Sequence, residues 1–154
     1  MLEHELNIGR RLIVDNQDFA AIAPFASRFP FEMRVLPKFH AIAFSQMTST
    51  QSENLADILR NVLQRLDRTL GRPPWRLSLQ DRPFLRPRKG HWETVEADFH
   101  WHVEILPQIS RITGFEWASA FFYNPVPPEI AARCLAPATV RRTRHSTRVV
   151  TSRP

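Results

Sequence analysis

Residues 98–107 read Asp-Phe-His-Trp-His-Val-Glu-Ile-Leu-Pro, and their strict alternation constrains the fold more than any other stretch of the chain. Successive side chains of a β-strand point to opposite faces. Phe99, Trp101, Val103 and Ile105 therefore form an apolar row, while His100, His102 and Glu104 form a polar row on the other side. Such a segment requires a sheet with a core against one face and chemistry on the other. Positions two apart lie about 6.5–7 Å apart at Cα, so the two imidazoles can converge on one metal ion or line up along one phosphate.

The flanking sequence supplies a sheet of that kind. Apolar runs at Arg11–Val14 and Phe19–Ala23, separated by Asp15-Asn16-Gln17-Asp18, read as a β-hairpin. Residues 31–36 alternate with period two between Pro30 and Pro37, which predicts a third strand with Phe31, Met33 and Val35 on one face. Thr50-Gln51-Ser52-Glu53 has the spacing of a capping box, ahead of Leu55, Ile58, Leu59, Val62, Leu63, Leu66 and Leu70 at helical intervals. Gly71 and the Pro73-Pro74 pair end that helix. Trp75, Leu77 and Leu79 alternate as a fourth strand, a proline- and charge-rich loop spans Asp81 to Glu96, and a further strand is expected around Glu116 to Tyr123. Pro127-Pro128-Glu129 opens a short helix through Leu135. The expected fold is α+β: an antiparallel sheet of about five strands, one long helix across it and a short C-terminal helix.

Charge and composition narrow the class. The chain has 154 residues and 43% hydrophobic content, which suits one domain. Its net charge of +6 is misleading, because Arg141, Arg142, Arg144, Arg148 and Arg153 lie in a terminal stretch without acids. The basicity therefore belongs to residues 137–154, expected to be a disordered tail, and the fold occupies residues 1–136. No platform of interleaved aromatic and basic residues is present, which argues against nucleic acid as a partner. No long apolar run or leader pattern is visible, so the expected location is the cytoplasm, with no membrane contact. The single Cys134 excludes an internal disulfide and is expected to be a small buried residue on the last helix.

Three stretches resemble the C-terminal half of the galactose-1-phosphate uridylyltransferase family, part of the histidine-triad superfamily. They are Arg11-Leu12-Ile13-Val14-Asp15-Asn16 leading to Pro24-Phe25; Pro30-Phe31-Glu32 followed by Leu36-Pro37-Lys38-Phe39-His40; and residues 99–105 followed by Gly114-Phe115-Glu116-Trp117. They recur in order over roughly residues 8 to 136. The resemblance implies uridylyl transfer between UDP-glucose and a hexose 1-phosphate, in which the other half of the enzyme carries a His-Pro-His motif. No His-Pro-His occurs in this sequence. The half resembled here is implied to bind a structural zinc or iron through His100 and His102, with Glu104, Asp81 or His91 filling in. Gln80 stands where a third His is expected. Phe115 and Glu116 match a segment that approaches the hexose or a partner subunit, and His40 matches a residue at a strand end that either touches ligand or orders its loop. A homodimer or a separately encoded catalytic half is the implied partner.

Two other classes fit the same residues. In a free-standing histidine-triad hydrolase or transferase, His102 would be the nucleophile and His100 would orient or donate. Glu104 would then replace the last His of the pattern and set negative charge beside an anionic nucleotide. In a non-catalytic interaction domain, from a truncated or split gene, the polar row is vestigial and Glu104 is the partner of a nearby Arg. The Leu and Ile stripe of residues 55–70 is core packing in every reading.

Overall fold

The computed structural model describes residues 2–83, 94–109 and 114–136. The expected tail, residues 137–154, and His91 lie outside that set. The first hairpin forms as β1 (Leu12–Asp15) and β2 (Phe19–Ile22). Its turn is held by Asn16, whose side-chain oxygen accepts the N–H groups of Asp18 at 3.2 Å and Phe19 at 2.9 Å, the self-capping that makes Asn a turn residue. β3 (Met33–Pro37) runs antiparallel to β2. It starts two residues later than its alternation predicts, because Phe31 adopts a left-handed φ of 60°. Beside it the buried Glu32 carboxylate accepts the Arg28 N–H at 2.7 Å. Phe31 thus lies outside the strand but still packs, partly buried, against the core in which Met33 and Val35 are fully buried.

The long helix α2 covers Ser49–Leu70. Its capping box is Thr48 with Gln51, not the Thr50/Glu53 pair: the Thr48 hydroxyl accepts from the Gln51 N–H at 3.2 Å and Gln51 Oε1 accepts from the Thr48 N–H at 2.9 Å. Both pairs have the right spacing, and the one in which the backbone is still extended wins. Gly71, with φ of 71°, closes the helix as expected. One α2 face buries Leu55, Ile58, Val62 and Leu66, each burial stabilising by about 1.5–3 kcal/mol.

β4 (Trp75–Gln80) and β5 (His102–Pro107) complete a five-stranded antiparallel sheet in the order β1-β2-β3-β5-β4. The expected α+β architecture is present, and the core lies between one sheet face and α2. Ala21, Val35 and Val103 are register partners in a row on that face, as are Met33 and Ile105. Trp101, 0% exposed, fills the end of the core against Phe19 and Phe44. The short helix α5 (Pro128–Leu135) adds Ala131, Ala132 and Leu135 to it.

Other expectations are corrected. Helix α1 (Leu2–Ile8) was not anticipated; it buries Glu5 against Arg11, which also reaches Glu129 at 2.8 Å. Within the predicted loop before the His strand, Val95–Asp98 forms one turn, α3. The expected strand at 116–123 is instead the end of α4 (Gly114–Ser119) followed by irregular backbone. Ala120 takes a φ of 57° and Glu116 Oε1 accepts the Tyr123 N–H at 3.2 Å, which folds the segment on itself. Aromatic β-propensity yields where no neighbouring strand supplies a ladder. Cys134 lies on α5 as expected but is exposed, since the buried side of that helix is taken by Ala131, Ala132 and Leu135. No helix among the described residues is long and apolar enough to cross a membrane.

Candidate functional site

The polar row of the His segment faces away from α2. β5 starts at His102, so His102 and Glu104 belong to the strand and His100 precedes it. Across the sheet, Glu104 is the register partner of Arg34 on β3 and of Ser78 on β4, and Ile22 is the partner of Arg34. All of these side chains therefore share the helix-free face.

Glu104 is 7% exposed and is held by cations. Its Oε1 lies 2.9 Å from Arg34 Nη2 and its Oε2 lies 3.5 Å from Arg28 Nη2. The same two arginines approach the buried Glu32, at 3.8 Å from Arg28 and 3.6 Å from Arg34. The four residues form a closed ring of alternating charge. Gln80 donates to Glu104 Oε2 at 3.4 Å, and His102 Nε2 lies 3.7 Å from Glu104 Oε1. Of the sequence readings of Glu104, the partner of a nearby Arg describes its contacts.

The two histidines do not point at a common centre. His100 Nε2 meets Nδ1 of His40 at 3.0 Å, ring edge against ring face, and His40 Nε2 lies 2.8 Å from the Glu96 carbonyl. A carbonyl only accepts, so in the neutral pair His40 donates through Nε2 and His100 donates to His40 Nδ1. His40 thus orders the α3 segment against His100. Burial pushes the His100 pKa down, and the neighbouring His40 adds to the effect. His102 Nδ1 faces the His100 carbonyl at 3.2 Å, which leaves Nε2 with the lone pair in the neutral ring.

Among the described residues no group of three or more His, Cys, Asp or Glu side chains is disposed to hold a metal ion. His100 turns to His40, and Glu104 is paired with two guanidinium groups that oppose a divalent cation. Asp81 is engaged elsewhere, accepting the Phe44 N–H at 3.0 Å.

A cavity of about 490 Å³ opens over this face. Ile22, Pro24, Phe25, Leu36 and Phe99 make it largely apolar, Arg34, His100 and His102 line it with basic groups, and Glu5 and Asp98 line it with acidic ones. An apolar recess with a few convergent polar groups is the usual form of a small-molecule site. Sequence reasoning missed Arg34, although its alternation with Met33 and Val35 places it on the helix-free face. Phe115 and Glu116 lie on α4 and do not line this cavity. Phe115 is 68% exposed.

Residues 2–111 match the family model described as galactose-1-phosphate uridyl transferase, C-terminal domain. The chain belongs to this family. Among relatives of this uridyl transferase domain, ADP-glucose phosphorylase of Arabidopsis thaliana is 29% identical over 127 residues, covering 80% of this chain and 34% of the relative. Galactose-1-phosphate uridylyltransferase of Thermotoga maritima is 28% identical over 132 residues, covering 81% of this chain and 40% of the relative. The chain therefore spans well under half the length of these curated relatives. The solved structure of a galt-like protein from Arabidopsis thaliana superposes with a TM-score of 0.78 at 28% identity, over 88% of this chain and 44% of that one. A zinc-bound histidine triad family protein from Mycobacterium smegmatis shares the fold, with a TM-score of 0.53 at 19% identity, over 80% of this chain and 79% of that one.

Proposed function

We propose that this domain serves nucleotidyl transfer between a nucleoside diphosphate hexose and a hexose 1-phosphate, as the half that helps to bind substrate and not as the half that carries the nucleophile. One observation carries the reading: in a domain of this family, His100, His102 and Arg34 meet at one largely apolar cavity on the helix-free face. The guanidinium and imidazole groups suit a phosphate, and the apolar walls suit a base or sugar face. UDP-glucose is the first substrate to test, and ADP-glucose the second, since the relatives include a uridylyltransferase and an ADP-glucose phosphorylase. Phe115 and Glu116, on α4 outside this cavity, would approach the hexose in a site completed by another unit. That unit is a second copy or a separately encoded catalytic half. The reading assigns no step to zinc or iron.

A second reading is favoured by the His102 ring. With Nδ1 donating to the His100 carbonyl, Nε2 is left as the reactive nitrogen, as direct attack on an α-phosphorus requires. Glu104, 3.7 Å from that nitrogen, has its charge offset by Arg34 and Arg28.

Intact-protein mass after incubation with each nucleotide sugar separates the two, with His102→Ala alongside. The half-domain reading expects no adduct, and binding of nucleotide sugar that weakens at least tenfold in Arg34→Met. A nucleotidyl adduct absent from His102→Ala would move the chemistry onto this chain. No binding of either nucleotide sugar would overturn the reading.

A further inference from the structure

The cavity on the helix-free face is not lined by cations alone, and its two carboxylates differ in their pairing. Glu5 is buried and held by the Arg11 guanidinium. Asp98 is exposed, and among the described residues its carboxylate has no hydrogen bond or ion pair. Local structure gives no reason for an acid there. Asp98 ends the single turn α3, where the carbonyl groups carry partial negative charge and a cation would be favoured.

A free carboxylate is also an unexpected lining for a phosphate site. Two residues before His100, in a cavity shared with Arg34 and His102, it opposes any bare phosphate that enters. The repulsion is offset where the ligand brings hydrogen-bond donors of its own. The two oxygens of a carboxylate can accept both hydroxyl hydrogens of a vicinal diol, and an acidic residue binds ribose in this manner in dinucleotide-binding folds.

Phe25 lines the same cavity and is 76% exposed, yet its ring is held from one side. The Arg11 guanidinium lies over it at 5.2 Å from the ring centroid, and Arg11 is itself fixed by Glu5 on α1 and by Glu129 on α5 at 2.8 Å. A ring supported in this way and still open to solvent is a platform on which the flat face of a sugar or base can stack.

We propose that Phe25 and Asp98 read the sugar of the ligand. The sugar stacks on Phe25, a vicinal hydroxyl pair donates to the Asp98 carboxylate, and the attached phosphate lies toward Arg34 and the two imidazoles. Asp98 is then a specificity residue: it admits a phosphate that carries a sugar and disfavours phosphate or pyrophosphate alone. The assignment rests on the functional reading given above and deepens it by naming the groups that select a sugar. The hydroxyl pair belongs to the ribose or to the hexose, and the choice of ligand separates the two.

Isothermal titration calorimetry on the full chain tests this with UDP-glucose, ADP-glucose, UDP, ADP, glucose 1-phosphate and inorganic pyrophosphate. Native chain, Asp98→Asn and Phe25→Ala are compared, both positions being exposed and therefore mild for folding. Coulomb repulsion alone predicts that removing a negative charge from the cavity tightens every one of these anions. A diol contact reverses the sign for the sugar. Asp98→Asn should weaken whichever nucleotide sugar binds by about tenfold, the loss of a charged hydrogen bond, while pyrophosphate binds as well or better. Phe25→Ala should weaken the nucleotide sugar by about fivefold and leave pyrophosphate unchanged. The same Asp98→Asn loss with UDP or ADP assigns the hydroxyls to the ribose, and with glucose 1-phosphate to the hexose. Nucleotide-sugar binding that is unchanged or tighter in Asp98→Asn would overturn the proposal and leave the functional reading standing. A loss shared equally by pyrophosphate would overturn it too, since it marks a collapsed site. A native chain that binds neither nucleotide sugar would remove the functional reading, and this proposal with it.

Discussion

Arg34 on β3 and Glu104 on β5 are register partners across the sheet, and their side chains meet at 2.9 Å on the face that α2 leaves open. This contact decides what the polar row of the His segment can be. It commits Glu104 to a guanidinium and brings Arg34 beside the two imidazoles at the cavity.

Removing one partner should be costly. Glu104 and Glu32 are buried carboxylates that share Arg34; a fully uncompensated buried charge destabilises by about 3–5 kcal/mol, and because Arg28 stays beside both, the loss here should be smaller than that. Arg34→Met should lower the urea midpoint accordingly, and adding Glu104→Gln should recover part of the loss. A midpoint unchanged in Arg34→Met would show that the ring does not bear on folding.

His100 gives stability a pH dependence of defined sign. Burial and His40 depress its folded pKa below the ordinary 6.5, so the unfolded chain protonates first as pH falls. Its contribution is constant above the unfolded value and declines as pH drops through 6.5 toward the folded value. Thermal midpoints between pH 5 and 8 should fall more steeply on the acid side for the native chain than for His100→Asn. Parallel curves would remove His100 as the cause.

The start of α2 can be checked in the same way. Thr48→Ala should cost about 1 kcal/mol by removing the capping hydroxyl, whereas Thr50→Ala, inside the first turn and exposed, should be close to neutral. Equal losses would favour the box that the spacing of residues 50–53 suggests.

The corrections share a physical origin. Hydrophobic spacing places α2 correctly but cannot choose between two capping boxes two residues apart, because both satisfy the same local pattern. Phe121, Phe122 and Tyr123 have the composition of a strand, but Phe122 packs on Phe29 at 5.1 Å and the segment finds no ladder. His100 continues the alternation in sequence, yet the turn of α3 ends just before it and its ring goes to His40.

The sequence by itself determined the sheet-and-helix architecture, the buried row of Trp101, Val103 and Ile105, and the family, since each of these follows from local periodicity and ordered motifs within the chain. Only the tertiary structure decided what the polar row does. Arg34 is 70 residues from Glu104 and His40 is 60 from His100, and no spacing rule links residues that meet only when strands align and loops close. The charges and hydrogen bonds gained there make the polar row part of an ion ring and a histidine pair, because a buried carboxylate takes whichever cation the fold brings within reach.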